Sequence, residues 1–260
     1  MKKPIQQTRL INDPVLDRVK VNYHLLTDFN KHPFSLSIIK NLKEIKFPTK
    51  VTFFVGENGS GKSTILEAIA EKAGFGSEGG SRNINFKTSD FITYTAAEQL
   101  ADCLTLSWNL KLTDGYFFRA ESFFNIANYI DTLQKIDGKA YSSYGGKSLH
   151  AQSHGESFLT FFQTRLNFGG FFIFDEPEAA LSPQRQLALL SIINQLCKNT
   201  NSQFIIATHS PILLAYPGAT IYSCDSGTLK TISYKETDHY QITKYFLDNP
   251  EQYLQHLFED

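Results

Sequence analysis

A glycine-rich loop lies between an apolar run and a stretch with helical spacing, and it restricts the possible folds of this chain more than any other feature. From Gly56 to Thr64 it reads Gly-Glu-Asn-Gly-Ser-Gly-Lys-Ser-Thr and satisfies the pattern G-x-x-x-x-G-K-S/T. The β-prone run Val51–Val55 precedes it, and apolar residues at helical spacing follow as far as Ala73. In this order, backbone N–H groups of the loop and the positive end of the helix can hold phosphate oxygens. The pattern predicts a P-loop that binds a nucleotide.

The residue types in the loop predict individual roles. Lys62 is expected to reach the β and γ phosphates and to assist catalysis, and the Ser63 hydroxyl is expected to coordinate Mg²⁺. The predicted cofactors are therefore ATP and Mg²⁺. The residues expected to contact the nucleotide are Gly56, Asn58, Gly59, Ser60, Gly61, Lys62, Ser63 and Thr64.

A second apolar run ends in two adjacent carboxylates. Residues 169–174 have the composition of a strand buried on both faces of a parallel sheet, and Asp175 and Glu176 follow directly. Asp175 is expected on the Mg²⁺ side, and Glu176 is expected to act as the general base for the attacking water. The alternative is a solvated acidic turn, which the P-loop in the same chain disfavours. Together the two motifs predict an ATP hydrolase.

The rest of the chain predicts an α/β fold with its ligand at the strand ends. A third buried strand runs from Gln203 to Thr208, and Ser182 followed by Pro183 is typical of the start of a helix. Residues 220–234 read as a hairpin. Apolar residues near the end of the chain could belong to the core or to a surface for a partner, and we expect core packing: Tyr245, Phe246, Leu254, Leu257 and Phe258.

Charge and composition limit the possible functions and the expected location of the protein. A formal net charge of −1 removes the simplest argument for nucleic-acid binding, because it provides no long-range attraction to phosphate. No apolar run approaches the roughly 20 residues that cross a bilayer, and the polar start lacks the apolar stretch of a signal peptide. We therefore expect a cytoplasmic protein. The three cysteines are scattered and suggest neither disulfides nor a zinc site.

Five segments between about Val51 and Tyr222 together resemble the ABC-type ATPases. Residues 152–156 read Gln-Ser-His-Gly-Glu and are similar to the family signature LSGGQ, with agreement at Ser153, Gly155 and Glu156. In that family the signature closes over the γ-phosphate of the opposite subunit. The resemblance therefore implies an ATP-sandwich homodimer to which these three residues contribute. The alternative is a polar turn before an apolar helix.

The other segments agree less closely with the motifs of the ABC-type ATPases. Residues 208–211 are similar to the switch-histidine segment, which implies that His209 contacts the γ-phosphate, whereas a structural histidine is the alternative. Residues 180–183 occupy the position of the D-loop. The family's Mg²⁺-sensing glutamine is missing: Arg119 stands in its place, and Glu121 nearby is the other candidate substitute. The adenine-stacking ring stays open among Tyr23, Phe29 and Phe34.

The resemblance also implies the domain organisation. We expect one ABC-type ATPase domain over residues 1–260, with a mixed-sheet core, flanking helices and a small helical subdomain. The expected boundaries are about 20–118 and 165–235 for the core, about 119–164 for the helical subdomain and 237–260 for a C-terminal helical tail.

The residues of several motifs resemble those of the RecF/SMC-like and OLD-like branch of the ABC ATPases. The whole chain resembles small stand-alone bacterial "AAA family ATPase" proteins. Only about 90 residues separate Lys62 from Ser153, which leaves no room for SMC coiled-coil arms. The resemblance implies a soluble ATPase that drives or gates an unidentified protein or nucleic-acid partner, with DNA repair and phage defence as candidate settings. Two alternatives are an ATPase subunit of a membrane ABC transporter and a protein that uses ATP only to dimerise, which Glu176 disfavours.

Overall fold

The computed structural model describes residues 12–25, 28–76, 79–81, 95–120, 123–138, 140–141, 146–148, 150, 154–165 and 169–259. Within these ranges the strands are β1 Leu16–Val21, β2 Glu44–Lys46, β3 Val51–Val55, β4 Leu104–Trp108, β5 Gly115–Arg119, β6 Phe171–Asp175, β7 Gln203–Ala207, β8 Thr220–Ser223 and β9 Lys230–Ile232. The helices are α1 Ser37–Asn41, α2 Lys62–Ala73, α3 Ala96–Asp102, α4 Phe123–Asp137, α5 His154–Arg165, α6 Pro183–Asn199, α7 Pro211–Leu214, α8 Asp238–Asp248 and α9 Pro250–Glu259.

The central sheet has the order β5-β6-β7-β3-β8-β9. Its first five strands are parallel, and β9 pairs antiparallel with β8 as the predicted hairpin. A second, antiparallel sheet has the order β2-β1-β4. The predicted α/β fold with flanking helices is therefore confirmed. The separate three-stranded sheet was not anticipated from the sequence.

The strands β3, β6 and β7 are buried along their whole length. Successive side chains of a strand point to opposite faces. In β6, Phe171 and Ile173 join the apolar layer beneath α2, whereas Phe172 and Phe174 join the layer beneath α6. Because both faces of these strands are covered, their continuous apolar runs belong at the centre of the sheet.

The two helices that flank the motifs begin and end as their sequences suggest, with one exception. Gly74, with φ of 92°, closes α2 through hydrogen bonds from its N–H to the carbonyls of Ala70 and Glu71. Pro183 occupies the first position of α6, and Ser182 is its N-cap residue. The Ser182 side chain makes no capping hydrogen bond, so the predicted cap is correct in position but wrong in contact.

The C-terminal helices α8 and α9 contradict the expectation of core packing. Phe258 is 77% exposed and Leu257 is 61% exposed, and Tyr245 and Phe246 are also exposed. Only Leu254 is half-buried among the five residues expected in the core. The helical spacing of these side chains predicts an amphipathic helix, but it does not determine whether another part of the protein covers the apolar face.

No helix in the described ranges combines the length and apolar character needed to cross a bilayer.

Candidate active site

The predicted motif residues meet at one edge of the central sheet. The strands β6, β7 and β3 are parallel neighbours, so their carboxyl ends lie side by side. The P-loop follows β3, Asp175 and Glu176 stand at the end of β6, and His209 follows β7. This edge is where ligands bind in open α/β sheets.

Three glycines of the P-loop, Gly56, Gly59 and Gly61, have positive φ, and two of them also have no space for a side chain. At Gly61, with φ of 95°, an added Cβ would lie 2.6 Å from Cγ2 of Ile38 in α1. At Gly56, with φ of 144°, an added Cβ would lie 2.8 Å from Oδ1 of Asp225. The same oxygen accepts a 2.7 Å hydrogen bond from the N–H of Glu57. A side chain at either position would therefore clash with the elements that hold the loop.

The ammonium group of Lys62 lies inside this loop. Lys62 is 4% exposed, and its Nζ donates hydrogen bonds to the carbonyl of Gly56 and, at 3.0 Å, to that of Glu57. Both of these partners are neutral carbonyls, so neither is a counter-ion that would compete with a bound anion. The loop thus presents a positive centre, as the motif predicts.

Ser63 and Asp175 provide adjacent oxygen donors. Ser63 Oγ donates to Asp175 Oδ1 at 3.1 Å. Mg²⁺ binds oxygen ligands at about 2.0–2.1 Å, which places neighbouring octahedral ligands about 3 Å apart, so this pair fits that cation. Among the described residues, no group of three or more His, Cys, Asp or Glu side chains forms a metal cage.

Arg119, at the end of β5, also faces Asp175. Its Nε lies 3.7 Å from Asp175 Oδ2, and its Nη2 lies 3.0 Å from Oε1 of Glu67 in α2. The register of β5 and β6 explains this placement, because Arg119 and Asp175 are paired across the two strands. Of the two candidates for the glutamine position, Arg119 is therefore beside the predicted metal ligands, and Glu121 lies outside the described residues.

Glu176 has an uncommon backbone conformation. Its φ of 50° and ψ of 53° are left-handed, and its N–H donates to the Ala207 carbonyl at 3.0 Å. Such conformations cost about 1–3 kcal/mol and persist only where surrounding contacts enforce them. The Glu176 side chain is 42% exposed and lines an open cavity of about 250 Å³ together with Lys62, Ser63 and other P-loop residues. Its carboxylate is thus accessible to a molecule bound there.

His209 is held between two carboxylates and a second imidazole. Its backbone N–H donates to Glu178 Oε1 at 2.6 Å, and its Nε2 lies 3.4 Å from Glu176 Oε1. Its Nδ1 lies 2.8 Å from Nε2 of His239 in α8. Burial raises the pKa of Glu178, although the hydrogen bond from His209 opposes that shift. Sequence reasoning missed His239, because a lone histidine in a distant helix has no spacing relation to the motifs.

Only part of the segment similar to the family signature falls within the described residues. Ser153 lies outside the described residues, while Gly155 and Glu156 are in the first turn of α5. The Glu156 side chain is 61% exposed, and its Oε1 lies 3.6 Å from Nη2 of Arg185 in α6. Neither Gly155 nor Glu156 is among the described residues that line the cavity. The structure therefore brings the P-loop, Asp175, Glu176 and His209 to one edge, and the role of the signature segment stays a prediction.

The candidate adenine-stacking rings are only partly available. Phe34 is 5% exposed within the core, so it has no free ring face. Tyr23 donates its hydroxyl to the Leu42 carbonyl at 2.7 Å and stacks on Phe29, with ring centroids 6.4 Å apart. Two residues that sequence reasoning missed, His32 and Leu36, line the cavity. Their position upstream of β3 carries no motif that could have identified them.

A family model described as an AAA domain matches residues 28–200, which include the P-loop, Asp175 and Glu176. The DNA replication and repair protein RecF of Francisella tularensis subsp. novicida is 39% identical over 72 residues, which is 26% of this chain and 20% of that protein. RecF of F. tularensis subsp. tularensis matches to the same extent. The alignment thus spans about one fifth of the length of these relatives.

Two solved structures align with most of this chain. The cbiO1 protein of Clostridium perfringens, part of the ABC transporter complex cbiONQ, aligns with a TM-score of 0.48 and 20% identity, covering 95% of this chain and 100% of that one. The SMC head domain of Thermotoga maritima aligns with a TM-score of 0.43 and 16% identity, covering 84% and 98% of the two chains.

Proposed function

Because the chain belongs to the AAA domain family, we propose that it binds Mg-ATP at the edge formed by β3, β6 and β7 and hydrolyses it with Glu176 as general base. The family match confirms the P-loop ATPase recognised in the sequence and is consistent with an ABC-type ATPase of the RecF/SMC branch. ATP hydrolase activity is general in such a family; the residue roles proposed below are specific to this chain.

The observation that carries the proposal is the convergence of three chemical functions around one cavity. Lys62 provides a buried positive charge, the Ser63–Asp175 pair provides hard oxygen donors, and Glu176 provides an accessible carboxylate. Phosphoryl transfer needs anion binding, a cation site and a group that positions water. All three are present within one edge of one sheet.

The proposed reaction assigns a task to each residue. The P-loop amides and Lys62 bind the β and γ phosphates, while Ser63 and Asp175 hold the metal ion. Bound Mg²⁺ supplies charge neutralisation for the transferring phosphoryl group. Glu176 accepts a proton from the attacking water as the water oxygen bonds to the γ-phosphorus and the bond to the β,γ-bridging oxygen breaks.

His209 and Arg119 have supporting roles in this proposal. His209 Nε2 lies beside Glu176 Oε1 and donates a hydrogen bond to a γ-phosphate oxygen. Arg119 takes the place of the family's glutamine and lies against Asp175. Because Arg119 and the metal ion would share one carboxylate, Arg119 tunes how readily that carboxylate binds Mg²⁺.

We also propose that a second copy of the chain completes the site through Ser153, Gly155 and Glu156. The exposed Glu156 side chain supports this arrangement, because the family resemblance requires the signature to act on the opposite subunit. The ATP cycle then drives or gates a partner. The local likeness to RecF makes DNA the first partner to test, by measuring ATP hydrolysis with and without duplex DNA. No observation favours the transporter alternative.

Phosphate release from Mg-ATP tests the catalytic proposal. The wild-type protein should hydrolyse ATP, and Lys62→Ala should lower the rate by about 100-fold or more, because it removes charge stabilisation from the transferring phosphate. Lys198→Ala, which removes an exposed lysine near the end of α6, is the matched control and should keep the wild-type rate. Equal rates for Lys62→Ala and the wild type would reject the proposed site.

Light scattering of Glu176→Gln tests the dimer. Loss of the base should trap an ATP-bound pair, so dimers should form with Mg-ATP and disappear without it. Ser153→Arg combined with Glu176→Gln should remain monomeric, because a bulky cation would block the signature contact. A monomer under every condition would reject the sandwich arrangement.

A further inference from the structure

Two histidines from distant parts of the chain are in hydrogen-bond contact behind Glu176. His209 Nδ1 and His239 Nε2 are 2.8 Å apart, and the ring centroids are 4.9 Å apart with an interplanar angle of 55°. At that separation one nitrogen must carry a proton and the other must accept it. The direction of this hydrogen bond determines which nitrogen of His209 remains protonated.

The surroundings of His209 favour one direction of the hydrogen bond, from His239 to His209. Its Nε2 is buried, lies 3.4 Å from Glu176 Oε1 and has no partner within hydrogen-bond geometry among the described residues. If His209 donated through Nδ1, the lone pair of Nε2 would face the carboxylate and the two would repel each other. If His239 donates instead, an Nε2–H faces that carboxylate and the interaction is attractive.

We infer that His239 is a positioning residue whose Nε2–H donates to His209 Nδ1 and thereby keeps the His209 proton on Nε2. This inference rests on the proposed function, in which that proton is the one offered to the γ-phosphate. His239 does not touch the substrate. It acts by fixing the tautomer and the ring orientation of His209, as outer partners of functional histidines commonly do.

The position of His239 in α8 suits it to this role. Thr237 caps the helix: its Oγ1 accepts from the N–H of Tyr240 at 3.3 Å and donates to the Tyr234 carbonyl at 2.8 Å, and the residue is 1% exposed. His239 is therefore in an anchored first turn rather than in a fraying end. Its ring can hold a fixed direction toward His209.

The charges around His239 also favour its neutral form. Burial lowers its pKa, and His209 and Lys62 lower it further, whereas Asp225 and Glu57 oppose the shift. The positive N-terminal end of α8 acts in the same direction as Lys62. A neutral His239 has one N–H and one acceptor nitrogen, so it can hold His209 in a single tautomer.

Long-range ¹H–¹⁵N spectra of nucleotide-free, ¹⁵N-histidine-labelled protein test the assignment, because protonated and unprotonated ring nitrogens resonate in separate ranges. The His209 signals can be identified by their loss in His209→Gln. We expect the wild type to carry the His209 proton on Nε2. His239→Leu should shift His209 toward the Nδ1–H form, and His239→Gln should retain the wild-type tautomer because its amide can donate. A wild-type His209 protonated on Nδ1 would overturn the inference.

Steady-state kinetics provide the second readout. His239→Leu should lower kcat for ATP by about tenfold, while ADP affinity should stay within about twofold, because ADP lacks the phosphate that His209 contacts. His239→Gln should restore most of the rate, and His256→Leu on the exposed face of α9 is the matched control. Equal loss in the leucine and glutamine variants would count against tautomer control. A wild type with the expected tautomer but without ATP hydrolysis would reject the proposed function alone.

Discussion

The carboxyl edge of the central sheet and the C-terminal helices differ in how their side chains are held. The strands β3, β6 and β7 are buried throughout, and Asp175 at the end of β6 lies within hydrogen-bond distance of Ser63 in the first turn of α2. Helix α8 has no buried apolar residue, and Leu247 is 69% exposed. A strand covered on both faces fixes the position of the side chain at its end. A helix that packs on one side leaves its other side chains free to meet solvent or a partner.

The two regions meet where His209, after β7, contacts His239 in α8. The sheet edge is thus not isolated from the C-terminal helices. A change in α8 would be transmitted first to His209, whose Nε2 lies 3.4 Å from Glu176 Oε1.

The same substitution in the two regions should have very different effects on stability. Leu189 in α6 is fully buried against the sheet, and Leu189→Ala should lower the free energy of unfolding by about 2–5 kcal/mol through lost burial and a residual cavity. Leu247→Ala should change it by no more than about 0.5 kcal/mol. Denaturant unfolding of both variants measures the difference, and comparable losses would show that α8 is covered in solution.

Arg119→Gln should sharpen the account of the sheet edge itself. Removing a cation 3.7 Å from Asp175 frees that carboxylate, so the Mg²⁺ concentration that half-saturates nucleotide binding should fall by roughly fivefold. Fluorescence of an ATP analogue titrated with Mg²⁺ measures this, and Arg119→Lys should stay near the wild type because it keeps the charge. A higher Mg²⁺ requirement in Arg119→Gln would mean that Arg119 orients Asp175 instead of competing with the ion.

The junction between the regions should produce a small pH dependence of stability. His239 has a lowered pKa in the folded protein, chiefly through burial, so the unfolded chain takes up a proton first as the pH falls below the ordinary value of 6.5. Its contribution is fully present above that pH and is lost on acidification. His239→Gln should therefore lose less stability than the wild type between about pH 7.5 and pH 5.5. Identical pH profiles in thermal unfolding would show that His239 is not the group responsible.

The sequence predicted the sheet edge well because its signals are local. Continuous apolar runs identified β3, β6 and β7, and parallel neighbours must place Asp175 and His209 at one edge. The glycine pattern predicted the loop, because the positive φ and the close contacts at Gly56 and Gly61 leave no room for a residue with a side chain.

The features that sequence reasoning missed depend on contacts between distant segments. The spacing of Phe258 and Leu257 indicated a helix face but not what would cover it, and both are exposed. Nothing local marks the contact of His239 with His209 or the pairing of β1 with β4. Phe34 shows the opposite error, because it was a candidate for stacking on adenine but is packed in the core.

Single-turnover phosphate release from ATP by Glu176→Gln, measured beside nucleotide affinity, tests the central claim most directly. ATP should bind as tightly as in the wild type while hydrolysis slows by about 100-fold or more, because the carboxylate acts on the attacking water and not on the bound phosphates. Glu251→Gln, an exposed substitution on α9, should leave both quantities unchanged. Hydrolysis by Glu176→Gln at the wild-type rate would show that Glu176 is not the general base.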